Sequence, residues 1–188
     1  MNKENIYSLP NDIPIPKDDG MCKHLEGMEI PDISLLTSNG DFIKVKRNES
    51  FRIVFYCYPM TGRPDRNLPE NWNNIPGASG CTIQNISFNN QYEELIKLNA
   101  IPIGITTQSI EDIKEMTERL KINYDILSDY KLEFTTLLKL PTFKIYERIF
   151  IKRLTLVVSN NRINKVFYPI FPPNNHIKEV LEWLKNEK

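Results

Sequence analysis

No run in this 188-residue chain approaches the ~18 consecutive apolar residues of a membrane-spanning helix, so we expect no membrane segment. Its charges show no excess of either sign: 24 Lys and Arg balance 24 Asp and Glu, and no basic stripe indicates nucleic-acid binding. The first twenty residues lack the apolar core of a signal peptide, so the expected location is the cytoplasm. With 40% apolar and 26% charged residues, the composition is that of an ordinary globular protein.

Side chains that bind metals and cofactors are scarce as well. The three cysteines (Cys22, Cys57 and Cys81) and two histidines lack metal-ligand spacing, and no glycine-rich loop indicates a nucleotide. We therefore expect neither a metal nor a cofactor. Because structural disulfides are rare in a reducing compartment, an odd, small cysteine count favours a catalytic sulfur over a scaffold of disulfides.

The most informative stretch runs from residue 51 to 90. The apolar run 51–57 is rich in β-branched and aromatic residues and predicts a buried central strand that ends before Pro59. A loop rich in Pro, Gly and Asn follows, and Cys81 then begins a segment with helical periodicity. Its predicted apolar face consists of Ile83, Ile86, Tyr92, Leu95 and Ile96. A cysteine in the first turn of a helix meets unpaired N–H groups and the positive dipole end, which favour a thiolate.

The remaining patterns predict a succession of strands and helices. They are a β-hairpin around 38–41, a strand at 101–106, a helix capped by Ser109, a strand end at 126–129, a short helix at 132–138, a turn into a strand at 140–142, a hairpin formed by 150–158 and 163–168, and a closing helix at 177–184.

The predicted order, β-β-β-α-β-α-β-α-β-β-α, is that of an α/β, thioredoxin-like fold, in which helices flank both faces of a central mixed sheet. We expect an N-terminal arm over residues 1–26 and a single domain over 27–188. The loop at 62–80 is an insertion of unusual length, which is typical of a functional segment.

Tyr58-Pro59 and the run Gly-Cys-Thr-Ile-Gln at 80–84 resemble the peroxiredoxin family, of the alkyl hydroperoxide reductase and thiol-specific antioxidant type. The resemblance is nearest to the bacterioferritin comigratory branch and extends from about Gly27 to Leu184. It implies a thiol-dependent peroxidase that reduces hydrogen peroxide or small organic hydroperoxides through a cysteine sulfenic acid. It also implies that Cys81 is the peroxidatic cysteine and Arg153 the distant arginine that closes over it.

The chain departs from the family pattern in the pocket. The family usually places a threonine three residues before the reactive cysteine, but Ala78 occupies that position, and Pro59 and Thr61 lie far upstream. The pocket hydroxyl is therefore expected from Thr61, from Ser79 or from neither. Pro59 and Gly80 are expected to complete the peroxide-binding pocket.

The second thiol of the reaction cycle is also missing from its usual place. The branch often carries a resolving cysteine five residues after the reactive one, where this chain has Ile86. Cys22 is one candidate for that thiol, and an external thiol, from a thioredoxin-like protein or a small molecule, is the other. A homodimer is left open, and Leu68, Trp72 and Ile75 of the inserted loop are expected to cover the pocket or to meet a second subunit.

Two further functions are compatible with the same residues. One is a thioredoxin-like redox sensor or binding module with little peroxidase turnover. The other is a thiol–disulfide oxidoreductase that uses Cys57 and Cys81, which requires their Cα atoms within about 7 Å of each other. The position of Cys57 inside an apolar strand favours a purely structural role for it.

Overall fold

The computed structural model describes residues 6–47 and 50–187; residues 1–5 of the predicted arm, residues 48–49 and residue 188 lie outside the described part. The elements are β1 (Ser34–Thr37), β2 (Phe42–Lys44), β3 (Arg52–Cys57), α1 (Cys81–Asn90), α2 (Tyr92–Lys97), β4 (Ala100–Thr106), α3 (Ile110–Leu120), β5 (Ile126–Ser128), α4 (Glu133–Leu137), β6 (Thr142–Ile145), β7 (Arg148–Ile151), β8 (Leu154–Ser159), β9 (Arg162–Phe167) and α5 (His176–Asn186). None of the described helices is long and apolar enough to cross a membrane.

Seven strands form one mixed sheet in the order β2-β1-β5-β4-β3-β8-β9. β3 pairs in parallel with β4 and antiparallel with β8, which confirms the run at 51–57 as the central strand. The hairpin of β1 and β2 and the cap of α3 are confirmed too: the Oγ of Ser109 accepts the N–H of Asp112 at 3.3 Å. The predicted architecture, a central mixed sheet with helices on both faces, is therefore confirmed.

The side chains of β3 alternate between the two faces of the sheet, as the period of two requires. Ile53, Phe55 and Cys57 pack into the layer that contains α4, which we call the α4 layer. Val54 and Tyr56 pack into the opposite layer, with α1, α2, α3 and α5, which we call the α1 layer. The sheet therefore separates the interior into two cores. The chain from Cys22 to Ile30 packs into the α4 layer; the division into an arm (1–26) and a domain (27–188) stays a prediction.

The predicted strand at 150–158 is two strands in the structure. β7 pairs with β6 in a separate two-stranded sheet, whereas β8 belongs to the main sheet. Lys152 and Arg153 connect them, and the N–H of Lys152 bonds to the carbonyl of Pro141 at 2.8 Å. The apolar pattern could not reveal this break, because Phe150 and Ile151 are buried in the same way as the strand that follows.

The inserted loop packs on the hairpin of β6 and β7. The Trp72 ring meets Phe150 edge-on at 5.3 Å and lies 5.9 Å from Phe143. Leu68 and Ile75 join the same small cluster. Arg63 and Arg66 hold the start of the loop through ion pairs with Asp112 at 3.4 and 3.1 Å. The insertion therefore has a small core of its own, attached to the main domain.

His176 should make the stability of the protein depend on pH. Its side chain is buried and bonds to the Thr155 hydroxyl at 2.9 Å and to Glu179 at 3.0 Å. Burial lowers the pKa of His176. Glu179 partly opposes this decrease, and the positive charge of Arg153 adds to it. Because the folded pKa lies below the unfolded value of about 6.5, the unfolded state takes up a proton first as the pH falls. We expect full stability above that pH and a declining free energy of unfolding below it.

Urea unfolding of the wild-type protein and of His176→Asn between about pH 7.5 and pH 5.5 checks this expectation. Asparagine can still hydrogen-bond but does not titrate, so the variant should lose less stability over this interval. Equal losses in the two proteins would contradict the role of His176.

Candidate active site

Cys81 is the first residue of α1 and lies in the α1 layer, where it is 2% exposed. Gly80 precedes it with a φ of 94°, in the left-handed region that glycine adopts without strain. The carbonyl of Gly80 accepts the N–H of Gln84 at 3.0 Å, which closes the first helical turn. The Cys81 thiol donates to the carbonyl of Ala78 at 3.4 Å. The predicted place of this sulfur, at a helix start after the central strand, is thus confirmed.

Arg153 reaches the same sulfur from the connection between β7 and β8. Its Nη2 lies 3.2 Å from the Sγ of Cys81 and also donates to the carbonyl of Ser79 at 2.9 Å. The carbonyls of Gly77 and Ala78 lie 3.2 and 3.3 Å from Nη2, and Nη1 donates to the Oε1 of Gln84. The guanidinium is buried at 3% exposure. A fixed positive charge therefore faces the sulfur.

A cavity of about 300 Å³ opens next to Cys81. Ser79, Gly80 and Thr82 lie beside the cysteine and line the cavity there, while apolar side chains of the inserted loop and of a residue shortly before it line another part. These apolar lining residues include Met60, Leu68 and Trp72. Leu68 and Trp72 therefore line the pocket, which agrees with one of the two alternatives expected, whereas Ile75 packs in the cluster of Trp72 and is not among the described residues that line the cavity.

Two of the predicted pocket residues are not brought to this cavity. The backbone N–H and the hydroxyl of Thr61 both donate to the Oε1 of Gln108, at 2.8 and 3.1 Å. Pro59 is buried, and its carbonyl accepts the hydroxyl of Thr106 at 3.0 Å. Neither Thr61 nor Pro59 is among the described residues that line the cavity. The hydroxyl of Thr61 is held by Gln108 and does not fold back over the sulfur.

The residues with hydroxyl groups that line the cavity are Ser79, as expected, together with Ser8 and Thr82, for which the sequence predicted no role. The Ser79 hydroxyl donates to the Oδ1 of Asn73 at 2.6 Å. Gln84, which holds Arg153, was also missed as a site residue. Helical periodicity was a usable signal for it, because position i+3 lies on the same face as Cys81.

The inner face of α1 is more polar than predicted. Thr82, Gln84 and Asn85 are buried, whereas Ile83 and Ile86 are only partly buried, so the predicted apolar face is wrong. The physical reason is a set of buried hydrogen bonds beside the sulfur. Asn85 donates to the carbonyl of Cys81 at 2.9 Å and accepts the hydroxyl of Tyr56 at 2.7 Å. In the next helix, Leu95 is buried and Ile96 is exposed.

Cys22 and Cys57 lie in the α4 layer, across the sheet from Cys81. Burial, reinforced by the charges of Asp19 and Asp18, raises the pKa of Cys22 to about 12. Burial likewise raises the pKa of Cys57. All three cysteines are free. The structure therefore brings neither Cys22 nor Cys57 to Cys81, and the sheet between Cys57 and Cys81 argues against a dithiol site of these two residues.

Comparison with known proteins finds similarity to peroxiredoxins. Residues 73–165 match the AhpC/TSA family model. The chloroplastic peroxiredoxin Q of Suaeda salsa is 24% identical over 166 residues, which cover 88% of this chain and 70% of that protein. Peroxiredoxin Bcp of Escherichia coli K12 is 26% identical over 161 residues, with 82% and 92% covered.

Solved structures show the same fold. Peroxidoxin BcpB of Mycobacterium tuberculosis superposes with a TM-score of 0.72 at 20% identity, covering 88% of this chain and 99% of its own. A bacterioferritin comigratory protein of Xanthomonas campestris, whose structures were described for its alkyl peroxide reduction activity, gives 0.66 at 19% identity and covers 86% and 96%. These likenesses confirm the predicted thioredoxin-like fold.

Replacing Gly80 by alanine should lower the free energy of unfolding more than the same change at Gly40, which has a similar backbone conformation. A Cβ at Gly80 would lie 2.5 Å from Cγ of Pro173 and 2.8 Å from Cδ1 of Leu9, whereas Gly40, with a φ of 87°, has no atom within 4 Å of that position. We expect Gly40→Ala to lower the free energy of unfolding by about 1–2 kcal/mol, from backbone strain alone. Gly80→Ala should cost about 2–5 kcal/mol, because overpacking adds to that strain.

Urea unfolding measures both losses, and a peroxide-consumption assay shows whether Gly80→Ala also impairs the site. Similar costs at the two positions would contradict the close packing around Gly80.

Proposed function

We propose that the chain is a peroxiredoxin of the AhpC/TSA family, the family whose model matches residues 73–165, and that it is a thiol-dependent peroxidase that reduces hydrogen peroxide or small organic hydroperoxides. One observation carries this proposal: the Sγ of Cys81, at the start of α1 and beside a cavity, lies 3.2 Å from Nη2 of Arg153. A nucleophilic sulfur, a fixed cation and space for a substrate are the parts that peroxide reduction needs.

In the proposed first step the Cys81 thiolate attacks the terminal oxygen of the hydroperoxide. An S–O bond forms while the O–O bond breaks, so sulfur is oxidised to a sulfenic acid and the peroxide is reduced. The leaving oxygen takes the bond's electron pair and a proton, and departs as water or an alcohol. Arg153 and the N–H groups at the start of α1 stabilise the negative charge on that oxygen.

A second thiol closes the cycle, and we propose that it comes from outside the chain. Its sulfur attacks the sulfenic acid, water leaves, and a mixed disulfide forms; another thiol then releases reduced Cys81. Cys22 is a poor candidate in this conformation, because it lies across the sheet and its raised pKa keeps it protonated. The reductant is a thioredoxin-like protein or a small thiol, and we assign the protein to the cytoplasm, where such thiols are abundant.

A second candidate function is redox sensing with little turnover. The observations that favour it are the low exposure of Cys81 and the bond that holds the hydroxyl of Thr61 away from the cavity. The rate at which the reduced protein reacts with peroxide separates the two functions. A rate close to that of a free thiol would favour the sensor.

Cys81→Ser should abolish peroxide consumption, and Arg153→Lys should lower the second-order rate constant about 100-fold. Lysine keeps the charge but lacks the planar fork that holds Ser79, Gln84 and the sulfur together, and loss of one such donor costs about 10²–10³ in rate. Stopped-flow measurement of the single-turnover reaction checks both variants, with urea unfolding as the control for folding. A rate for Arg153→Lys within a few-fold of wild type would contradict the role of the arginine.

Cys22→Ser should retain peroxide turnover with dithiothreitol or a thioredoxin system as the reductant. Mass spectrometry of the wild-type protein after one equivalent of peroxide should find the sulfenic acid, or its alkylated adduct, at Cys81 and no disulfide to Cys22. Recovery of a Cys22–Cys81 disulfide in good yield would instead require the N-terminal segment to leave its layer during turnover.

A further inference from the structure

The chain that leads into the domain crosses directly over the candidate active site. Ile6, Ser8 and Pro10 line the cavity next to Cys81. Leu9 lies against Gly80, since a Cβ built on that glycine would come within 2.8 Å of the Cδ1 of Leu9. We propose that residues 6–10, the arm wall, form one side of the peroxide-binding cavity and determine how well hydroperoxides with an apolar group are bound. This inference rests on the proposed peroxidase function.

Arg119 of α3 attaches the arm wall to the rest of the protein. Its Nη1 donates to the hydroxyl of Tyr7 at 3.1 Å, and its guanidinium lies 5.6 Å from the centre of the Tyr7 ring. The same guanidinium donates to the carbonyl of Gly62 at 3.0 Å and pairs with Glu115 at 2.6 Å. One largely buried cation therefore connects the arm wall and the inserted loop to α3.

The arm is also attached further along, close to Arg153. Asp19 pairs with Lys152 at 2.7 Å and accepts the hydroxyl of Tyr168 at 2.9 Å. The hydrogen bond from Lys152 is the largest cause of the lowered pKa of Asp19. Because Lys152 immediately precedes Arg153, the arm is held both at the cavity and beside the residue that faces the sulfur.

The cavity is larger and less polar than hydrogen peroxide alone would require. A water-sized molecule needs only about 15 Å³ of such space, whereas the cavity offers about 300 Å³. Ser79 and Thr82 are polar residues beside Cys81, whereas Ile6, Met60 and Leu68 supply apolar lining, and Ile6 lies against Gly62. An organic hydroperoxide fits this arrangement, with its O–O bond at the sulfur and its apolar group against Ile6.

The position of the Ile6 side chain in the cavity can be changed by a substitution at Ile6 or at Gly62. A Cβ on Gly62 would lie 2.6 Å from the Cγ2 of Ile6, and the φ of Gly62 is outside the left-handed region, so an alanine there displaces Ile6 without straining its own backbone. Ile6→Ala removes the apolar side chain from the cavity, and Gly62→Ala displaces that side chain. In the double variant the second change should add little, because the clashing methyl group is already absent.

The experiment compares second-order rate constants for cumene hydroperoxide and hydrogen peroxide in stopped flow. The ratio of the two constants should fall at least about tenfold in Ile6→Ala and in Gly62→Ala, because the loss of even one methylene contact from an apolar pocket costs about that much. The matched control is Ile15→Ala, in the same arm, because Ile15 is 64% exposed and is not among the described residues that line the cavity. Its ratio should match wild type.

Rates of Cys81 alkylation by N-ethylmaleimide, measured by peptide mass spectrometry, give a second readout that does not depend on peroxide. Both cavity variants should be alkylated faster than wild type and Ile15→Ala. An unchanged rate ratio in both variants, with normal reaction of the wild-type protein, would overturn the arm wall alone. A wild-type protein that fails to react with peroxide would overturn the proposed function, and unchanged alkylation would then overturn the arm wall as well.

Discussion

The site depends on how the charge of one buried guanidinium is compensated. Removing a cation from water is costly unless its N–H groups find acceptors. Among the described residues no carboxylate forms an ion pair with Arg153; its acceptors are backbone carbonyls, Gln84 and the sulfur of Cys81. Because carbonyl and amide oxygens carry no net charge, they hold the side chain without neutralising it. A full positive charge is left for the sulfur and for an oxygen bound next to it.

This constraint explains why the inserted loop belongs to the site. The carbonyl groups that hold Arg153 belong to Gly77, Ala78 and Ser79, which lie at the end of that loop, just before Gly80. The loop in turn needs support, because a segment of this length without structure would order at a large entropic cost. Trp72 packed on Phe150 provides that support, and the ion pairs of Asp112 reinforce it from α3.

The central strand decides which sulfur can react. Cys57 is at the end of β3 and faces the α4 layer, while Tyr56 faces Asn85 and Phe88 of α1 on the other side. The side-chain period of two therefore turns Cys57 towards the layer that also contains Cys22, whereas Cys81 lies in the opposite layer. Only Cys81 meets both a helix N-terminus and Arg153. Two neutral, buried thiols remain as parts of the apolar packing.

Local patterns in the sequence determined the central strand, the hairpin of β1 and β2, the cap of α3 at Ser109 and the place of Cys81 at the start of α1. These follow from periodicity, capping and turn chemistry, which act over a few neighbouring residues. Only the tertiary structure decided that the run 150–158 breaks at Arg153 and that Gln84 and Asn85 are buried. It likewise decided that Gln108 holds Thr61 away from the cavity and that Ile6 takes a place in its wall. The physical reason is that a buried polar group, or an apolar group over a cavity, is stabilised by whichever partner folding brings to it, and those partners are far away along the chain.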